Sequence, residues 1–68
     1  MTSPEIIVRV IDLLYHRGAS TVTRLRHITH FAISRGEFLK ALRWLEKRGV
    51  VTSSFDRSCG EEAWRLRR

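Results

Sequence analysis

The chain has one cysteine and one proline among its 68 residues, and each scarcity excludes a class of protein. Because Cys59 has no second cysteine to pair with, no intramolecular disulfide can form, and nothing indicates an oxidising compartment. The single proline argues against a disordered chain. No apolar run reaches the ~20 residues of a membrane span. The apolar stretch Ile6–Tyr15 is interrupted by Arg9 and Asp12, and no small-residue cleavage site follows it. We therefore expect no membrane segment and no signal peptide, and a cytoplasmic protein.

The chain also lacks the patterns on which catalysis depends. It has no glycine-rich phosphate loop, no paired carboxylates in a plausible cleft and no serine in a nucleophile-elbow pattern, so we expect no enzyme. His27 and His30 are three positions apart, and His16 and Cys59 are further potential zinc ligands, but no Cys-x-x-Cys pair accompanies them. We expect no metal and no cofactor. Asp56 is expected to make a hydrogen bond within a turn.

Acidic residues are scarce as well: the chain has 7 acidic and 13 basic residues, which gives a net charge of +6 and a pI near 11.1. A small basic domain is a candidate for a polyanionic partner, because neutralising phosphates releases counterions. The plain alternative is that the charge only keeps the protein in solution. Most of the basic residues are arginines, which favour bidentate contacts to phosphate or guanine. The length and the 43% of hydrophobic residues predict a single domain over residues 1–68.

The most informative stretch is SRGEFLKALRWLEKRGVV, from Ser34 to Val51. Ser34 and Glu37 form the pattern of a capping box, in which each side chain satisfies a backbone N–H at a helix start. Gly49 stands where a left-handed residue ends a helix, so the pattern predicts a helix over 34–48. One face is apolar and predicts burial, and another is basic and predicts a negatively charged partner. The first comprises Phe38, Ala41, Leu42 and Leu45, and the second comprises Gly36, Lys40, Arg43 and Lys47.

Residues 3–17 predict another helix, with Ser3 as its cap, Pro4 in its first turn and Gly18 after its end. Its apolar residues sweep about 220° of the surface, against roughly 100° for an ordinary one-sided helix. A domain of this size cannot easily cover so wide an arc, so we expect a homodimer through this helix. The alternative is that the rest of the domain covers most of the arc. The residues assigned to the dimer interface are Ile6, Val8, Leu13 and Tyr15.

The middle of the chain predicts two short elements. Residues 19–22 are β-branched enough for a brief strand, and Thr23 is expected to cap a short helix that runs to about His30. Phe31 and Ile33 are too apolar for a free loop. We expect both side chains to fill the angle between this helix and the next.

The last segment, 50–67, predicts a β-hairpin, because two β-prone runs flank a polar loop that ends in glycine. Trp64 and Leu66 share one face of its second strand, which we expect to pack on the helices, while Arg65 and Arg67 point the other way. The full order is helix, short strand, helix, helix, hairpin. The expected fold is therefore mainly α with a small β-hairpin.

This order of elements, together with the third helix, resembles the winged helix-turn-helix family of DNA-binding domains. The family's third helix commonly runs from a serine through an apolar residue, alanine-leucine, a basic pair and leucine-glutamate to a glycine, and a wing follows. The closing Trp64-Arg65-Leu66 is also similar to the usual last wing strand. The resemblance covers nearly the whole chain. The matching residues are Ser34, Phe38, Ala41, Leu42, Leu45, Glu46 and Gly49, with Val50 and Val51 starting the wing.

The resemblance implies a sequence-specific transcription regulator that binds double-stranded DNA, and we expect a repressor that acts by occupying a promoter. The helix over 34–48 would enter the major groove, and the wing over 50–67 would lie on the flanking backbone, with Arg57 at its tip. Thr23 and Arg24 would contact the DNA backbone from the second helix. The residues implied to approach the major groove are Ser34, Arg35, Gly36, Leu39, Lys40 and Arg43.

The sequence departs from the family's pattern at three points, and the last two of them favour an alternative. The turn before the third helix is about two residues longer than the common 3–4 residues. Leu39 stands where a polar residue is usual, and Trp44 replaces a basic one. Both side chains are expected to be exposed beside the basic face. The alternative function is therefore a module for protein–protein contact, or an adaptor in a replication or transcription complex.

Overall fold

A computed structural model describes residues 3–67 of the chain. Within that range the order expected from the sequence is confirmed: a helix and a short strand are followed by two helices and a hairpin. The elements are α1 (Pro4–Arg17), β1 (Ser20–Thr21), α2 (Val22–Ile28), α3 (Arg35–Lys47), β2 (Val51–Asp56) and β3 (Glu61–Leu66). Met1, Thr2 and Arg68, which the predicted domain over residues 1–68 also includes, lie outside the described residues.

Helix α1 begins and ends where its local sequence predicts. Proline is tolerated in the first turn because its missing N–H would have no partner there, and Glu5 lies at the positive end of the helix dipole. Gly18 ends the helix with φ of 75°, and its N–H donates to the carbonyl of Leu14 at 2.9 Å. Ser3 occupies the N-cap position, but its side chain makes no capping hydrogen bond.

Two predictions for helix α2, its cap and its end, are wrong. Its cap is Thr21 and not Thr23, because the Thr21 hydroxyl accepts from the N–H of Arg24 at 3.2 Å. Thr21 also lies in β1, whose extended backbone is the conformation that an N-cap residue needs. The helix ends at Ile28, two residues before His30, and the chain then makes a turn in which His30 has a positive φ of 52°.

Helix α3 confirms the capping box. The hydroxyl oxygen of Ser34 accepts from the N–H of Glu37 at 3.2 Å, and the Glu37 carboxylate accepts from the N–H of Ser34 at 3.4 Å. Gly49 follows the helix with φ of 76°, a conformation that glycine adopts without steric cost. The predicted helix over 34–48 is therefore present as Arg35–Lys47, between its two caps.

The three strands form one antiparallel sheet in the order β1-β3-β2. Strand β3 is central, and Trp64 lies opposite Ser20 of β1 and Ser53 of β2. Because β1 pairs with β3 and α2 follows β1 directly, this pairing holds the hairpin β2–β3 close to the start of α2. This pairing places the hairpin beside the start of α2 and the end of α3.

The core lies where α1, α2 and α3 meet the sheet. Trp64 is its largest buried side chain, and all four predicted apolar residues of α3 are fully buried. Leu66 packs against the core as predicted. Phe31 was expected to be buried but is 56% exposed, whereas Ile33 packs partly against the core. The core residues are Val10, Leu13, Leu14, Val22, Leu25, Phe38, Ala41, Leu42, Leu45, Val51 and Trp64.

Most of the apolar arc of α1 is covered within the domain, which is the alternative that the sequence left open. Leu13 belongs to the core, so its assignment to a dimer interface is wrong. Ile6 is half-buried against the same core. Val8 and Tyr15 remain 65% and 71% exposed, and they lie seven positions apart on one side of the helix.

Candidate nucleic-acid interface

The outer face of α3 is open. Arg35, Gly36, Lys40, Arg43 and Lys47 are all exposed, while the opposite face of the helix is buried in the core. An added Cβ at Gly36 would meet nothing within 4 Å, so the helix backbone is uncovered at that point. The predicted burial of the apolar face and the predicted exposure of the basic face are both confirmed.

The cations of this face are not neutralised by the protein. Among residues 3–67, no lysine or arginine forms a salt bridge with any of the seven carboxylates. The one ion pair that these residues make joins His16 to Asp12 at 3.3 Å, and it is charged only when the histidine is protonated. A surface of unpaired arginines and lysines keeps its full attraction for an anionic partner.

The carboxylates are instead bound to hydroxyl and backbone groups. Glu37 closes the capping box, Glu46 accepts from the Ser53 hydroxyl at 3.3 Å, and Glu61 accepts from the Thr23 hydroxyl at 2.7 Å. Asp56 accepts from Ser58 at the tip of the hairpin. These contacts fix acidic side chains at the ends of elements. Among the described residues, none of these carboxylates forms a salt bridge with an arginine or a lysine.

Charge is also unevenly distributed along the chain. No acidic residue occurs between Asp12 and Glu37, and this segment carries four arginines and three histidines. It includes all of α2, the turn that leads to α3 and the first two residues of α3, and within it Arg24 of α2 and Arg35 of α3 are exposed. Helix α2 therefore contributes only positive charge beside α3.

Thr23 already forms hydrogen bonds within the protein. Its hydroxyl donates to Glu61 Oε2 at 2.7 Å, and its N–H donates to Glu61 Oε1 at 3.4 Å. The predicted backbone contact from Thr23 would have to displace this carboxylate, which a nearby phosphate would also repel. Arg24 is exposed and free of such a partner among the described residues. The contact to Glu61 could not be predicted from the sequence, because 38 positions separate Glu61 from Thr23 and no local pattern joins them.

Of the two apolar residues of α3 predicted to be exposed beside the basic face, Leu39 differs from the expectation and Trp44 agrees with it. Leu39 is half-buried and packs against the core, so only part of its side chain faces outward and its predicted exposure is wrong. Trp44 is 39% exposed, and the guanidinium of Arg48 lies over its ring at 4.1 Å from the centroid. The other residues predicted for the groove face, from Ser34 to Arg43, are exposed.

The tip of the hairpin, residues 57–60, is organised by Asp56. Its Oδ1 accepts from the N–H and the hydroxyl of Ser58 at 2.9 and 2.6 Å, and its Oδ2 accepts from the thiol of Cys59 at 3.2 Å. These hydrogen bonds lower the pKa of Asp56, with the Ser58 hydroxyl as the largest cause. The bond to Asp56 raises the pKa of the Cys59 thiol. The predicted turn role of Asp56 is confirmed, and Arg57 is exposed beside it.

The described part of the chain also has two open grooves. One, of about 560 Å³, separates α2 from the hairpin, with Arg24 and His27 on one side and Asp56 and Glu61 on the other. Its mixed charges suit a polyanion less well than the face of α3. The second, of about 1050 Å³, lies beside Tyr15 at the end of α1.

In residues 3–67, no cluster of three or more His, Cys, Asp or Glu side chains has the arrangement of a metal site. No helix in the described part of the chain has the length and apolar character needed to cross a membrane. A scan against protein-family models, a search of curated proteins and a search of solved structures all find no match.

Proposed function

We propose that the chain is a winged helix-turn-helix domain that binds double-stranded DNA and regulates transcription. The order of elements supports the assignment, with a short strand before α2, and a hairpin after α3 whose second strand pairs with that strand. In this proposal α3 is the recognition helix and the hairpin β2–β3 is the wing. DNA binding is an inference from the surface.

One observation carries the proposal: the exposed face of α3 is basic and unpaired, on a helix whose other face is fixed in the core. An α-helix fits the major groove, and its orientation must be rigid if its side chains are to meet particular base edges. The capping box and the four buried apolar residues supply that rigidity. Lysine and arginine without acidic partners supply the attraction for phosphate.

The proposed contacts follow from the position of each residue. Arg35, Gly36, Lys40 and Arg43 face the major groove, where arginine and lysine recognise the O6 and N7 atoms of guanine. Ser34 lies at the start of the same helix, at the edge of the groove. The contacts outside the groove come from Arg24 on α2 and from Arg57 at the wing tip, both to phosphates. Thr23 is not among the proposed DNA contacts, because its hydroxyl already donates to Glu61.

The proposal includes a homodimer through the exposed part of α1, now limited to Val8 and Tyr15 with the half-buried Ile6 at their side. A two-fold dimer would set the spacing of two half-sites on DNA. A cytoplasmic repressor that acts by occupying a promoter is the simplest regulator of this kind. The alternative, a module for protein–protein contact, is favoured by the exposed rings of Trp44 and Phe55.

The test is the salt dependence of binding to a random-sequence duplex. Each neutralised phosphate contributes about −0.9 to the slope of log K against log salt, so the double variant Lys40→Ala, Arg43→Ala should flatten the slope by about 1.8. The matched control is Arg9→Ala, Arg17→Ala, which removes the same charge from α1. Equal losses of duplex affinity from both double variants would indicate that DNA is attracted by the charge of the whole molecule and not by α3. Parental binding by the α3 variant would contradict the proposal.

A further inference from the structure

The turn between α2 and α3 holds an aromatic ring outside the core on an unfavourable backbone. His30 and Phe31 have φ of 52° and 60°, a left-handed conformation that is costly for residues other than glycine. The N–H of Phe31 donates to the carbonyl of Arg26 at 2.8 Å, which fixes the turn. Phe31 is nevertheless 56% exposed, so the turn does not serve to bury it. Unfavourable backbone conformations of this kind concentrate at binding sites.

Two side chains of α2 contact the ring. The guanidinium of Arg26 lies 5.2 Å from the centroid of Phe31, and the His27 ring contacts it edge-on with centroids 4.9 Å apart. The Nε of Arg26 is buried without a hydrogen-bond partner in the described part of the chain, so the ring and not an acid holds this guanidinium. The rest of the Phe31 ring is open to solvent. We call these three residues the turn cluster.

The surroundings of the turn cluster attract anions. It lies in the segment between Asp12 and Glu37 that has no acidic residue, and Arg35 begins α3 four positions after Phe31. An exposed π face beside arginine is the combination with which proteins bind unpaired nucleobases, the ring stacking on the base and the cation meeting the phosphate. Bases inside a duplex are stacked on one another and offer no free face.

We propose that the turn cluster is a stacking site for an unpaired nucleobase of single-stranded nucleic acid. This activity goes beyond duplex binding by α3 and does not depend on it. Phe31 provides the stacking surface, His27 fixes the angle of the ring, and Arg26 provides positive charge beside it. The occupant is a strand whose bases are free, such as locally melted DNA or RNA.

The test is fluorescence anisotropy with a labelled oligothymidylate of about 15 nucleotides. Phe31→Ala should weaken binding about 5- to 150-fold, the equivalent of one lost base stack of about 1–3 kcal/mol. The matched control is Phe55→Ala, which removes an equally exposed phenylalanine from β2 and should leave binding unchanged. Phe31→Leu keeps an apolar side chain without a π face and should behave like Phe31→Ala. An oligouridylate probe shows whether DNA or RNA is preferred, and circular dichroism verifies that each variant is folded.

The outcomes separate this proposal from the proposed function. Loss of single-strand binding by Phe31→Ala, with duplex binding retained, supports the stacking site. If Phe31→Ala binds oligothymidylate within about twofold of the parent, the proposal is overturned. The same result is expected if Phe31 is an anchor for a protein partner, so that role would overturn the proposal as well. Equal losses on duplex and single strand would place the ring in the duplex interface and also overturn it. The Lys40, Arg43 double variant tests duplex binding independently.

Discussion

The contact between Thr23 and Glu61 gives a prediction whose size follows from the structure. Thr23→Ala removes the hydroxyl that donates to Glu61 Oε2 at 2.7 Å. A hydrogen bond to a charged group is worth about 1.5–3 kcal/mol when buried, and this pair is exposed, so we expect a loss of about 1 kcal/mol. For a domain of this length, that loss lowers Tm by about 4–8 °C.

Glu61→Ala should cost somewhat more. The carboxylate also accepts from the N–H of Thr23 at the start of α2, a helix with no acid in its first turn, and this position favours negative charge by about 0.3–1 kcal/mol. Because the two residues share one contact, the double variant should lose about 0.5–1 kcal/mol less than the sum of the single losses. Glu62→Ala, an exposed neighbour on β3, is the control and should change stability by less than about 0.5 kcal/mol.

The assay is thermal unfolding followed by circular dichroism for the parent, both single variants, the double variant and the control. Losses that add to within about 0.3 kcal/mol would refute the coupling of Thr23 to Glu61. A Thr23→Ala variant with parental Tm but weaker duplex binding would refute the reasoning in another way. It would return Thr23 to the role that the resemblance implied, a contact to the DNA backbone.

Three further predictions concern single side chains. Ser34→Ala should destabilise the domain by about 1 kcal/mol through loss of the capping box, measured by urea unfolding; an unchanged midpoint would contradict the cap. Tyr15→Asp should give a folded monomer in sedimentation, whereas Leu13→Asp should unfold the domain, and an unchanged mass for Tyr15→Asp would remove that interface. Because Asp56 raises the pKa of Cys59 above that of an ordinary thiol, Asp56→Asn should lower that pKa and speed alkylation by iodoacetamide at pH 8; an unchanged rate would show that the hydrogen bond does not control the thiol.

The parts of the fold that the sequence predicted depend on local interactions. The capping box of α3 needs only residues three positions apart, and the glycines that follow α1 and α3 adopt positive φ through their own lack of a side chain. The burial of Phe38 and Leu42 follows from helical periodicity. These signals fix helix ends and buried faces without reference to the rest of the chain.

The errors arose where distant segments decide the outcome. Thr21 and Thr23 are equally good caps by residue type, and the pairing of β1 with β3 and the contact to Glu61 determine which one serves. Phe31 is apolar, but the left-handed turn directs its ring outward. Leu39 and Leu13 lie at the edges of helical faces, where neighbouring elements set their burial. The basic face of α3 was predictable, whereas the absence of acidic partners for it was not.

The most direct test of the central claim is a titration of isotope-labelled protein with a duplex of about 20 base pairs, two helical turns, followed by amide chemical shifts in NMR. Binding through α3 predicts salt-sensitive shifts that concentrate between Arg35 and Lys47 and at Arg57, with little change at Val8 or Arg9. Shifts confined to α1, or no shifts at low salt, would contradict DNA binding by the basic face of α3.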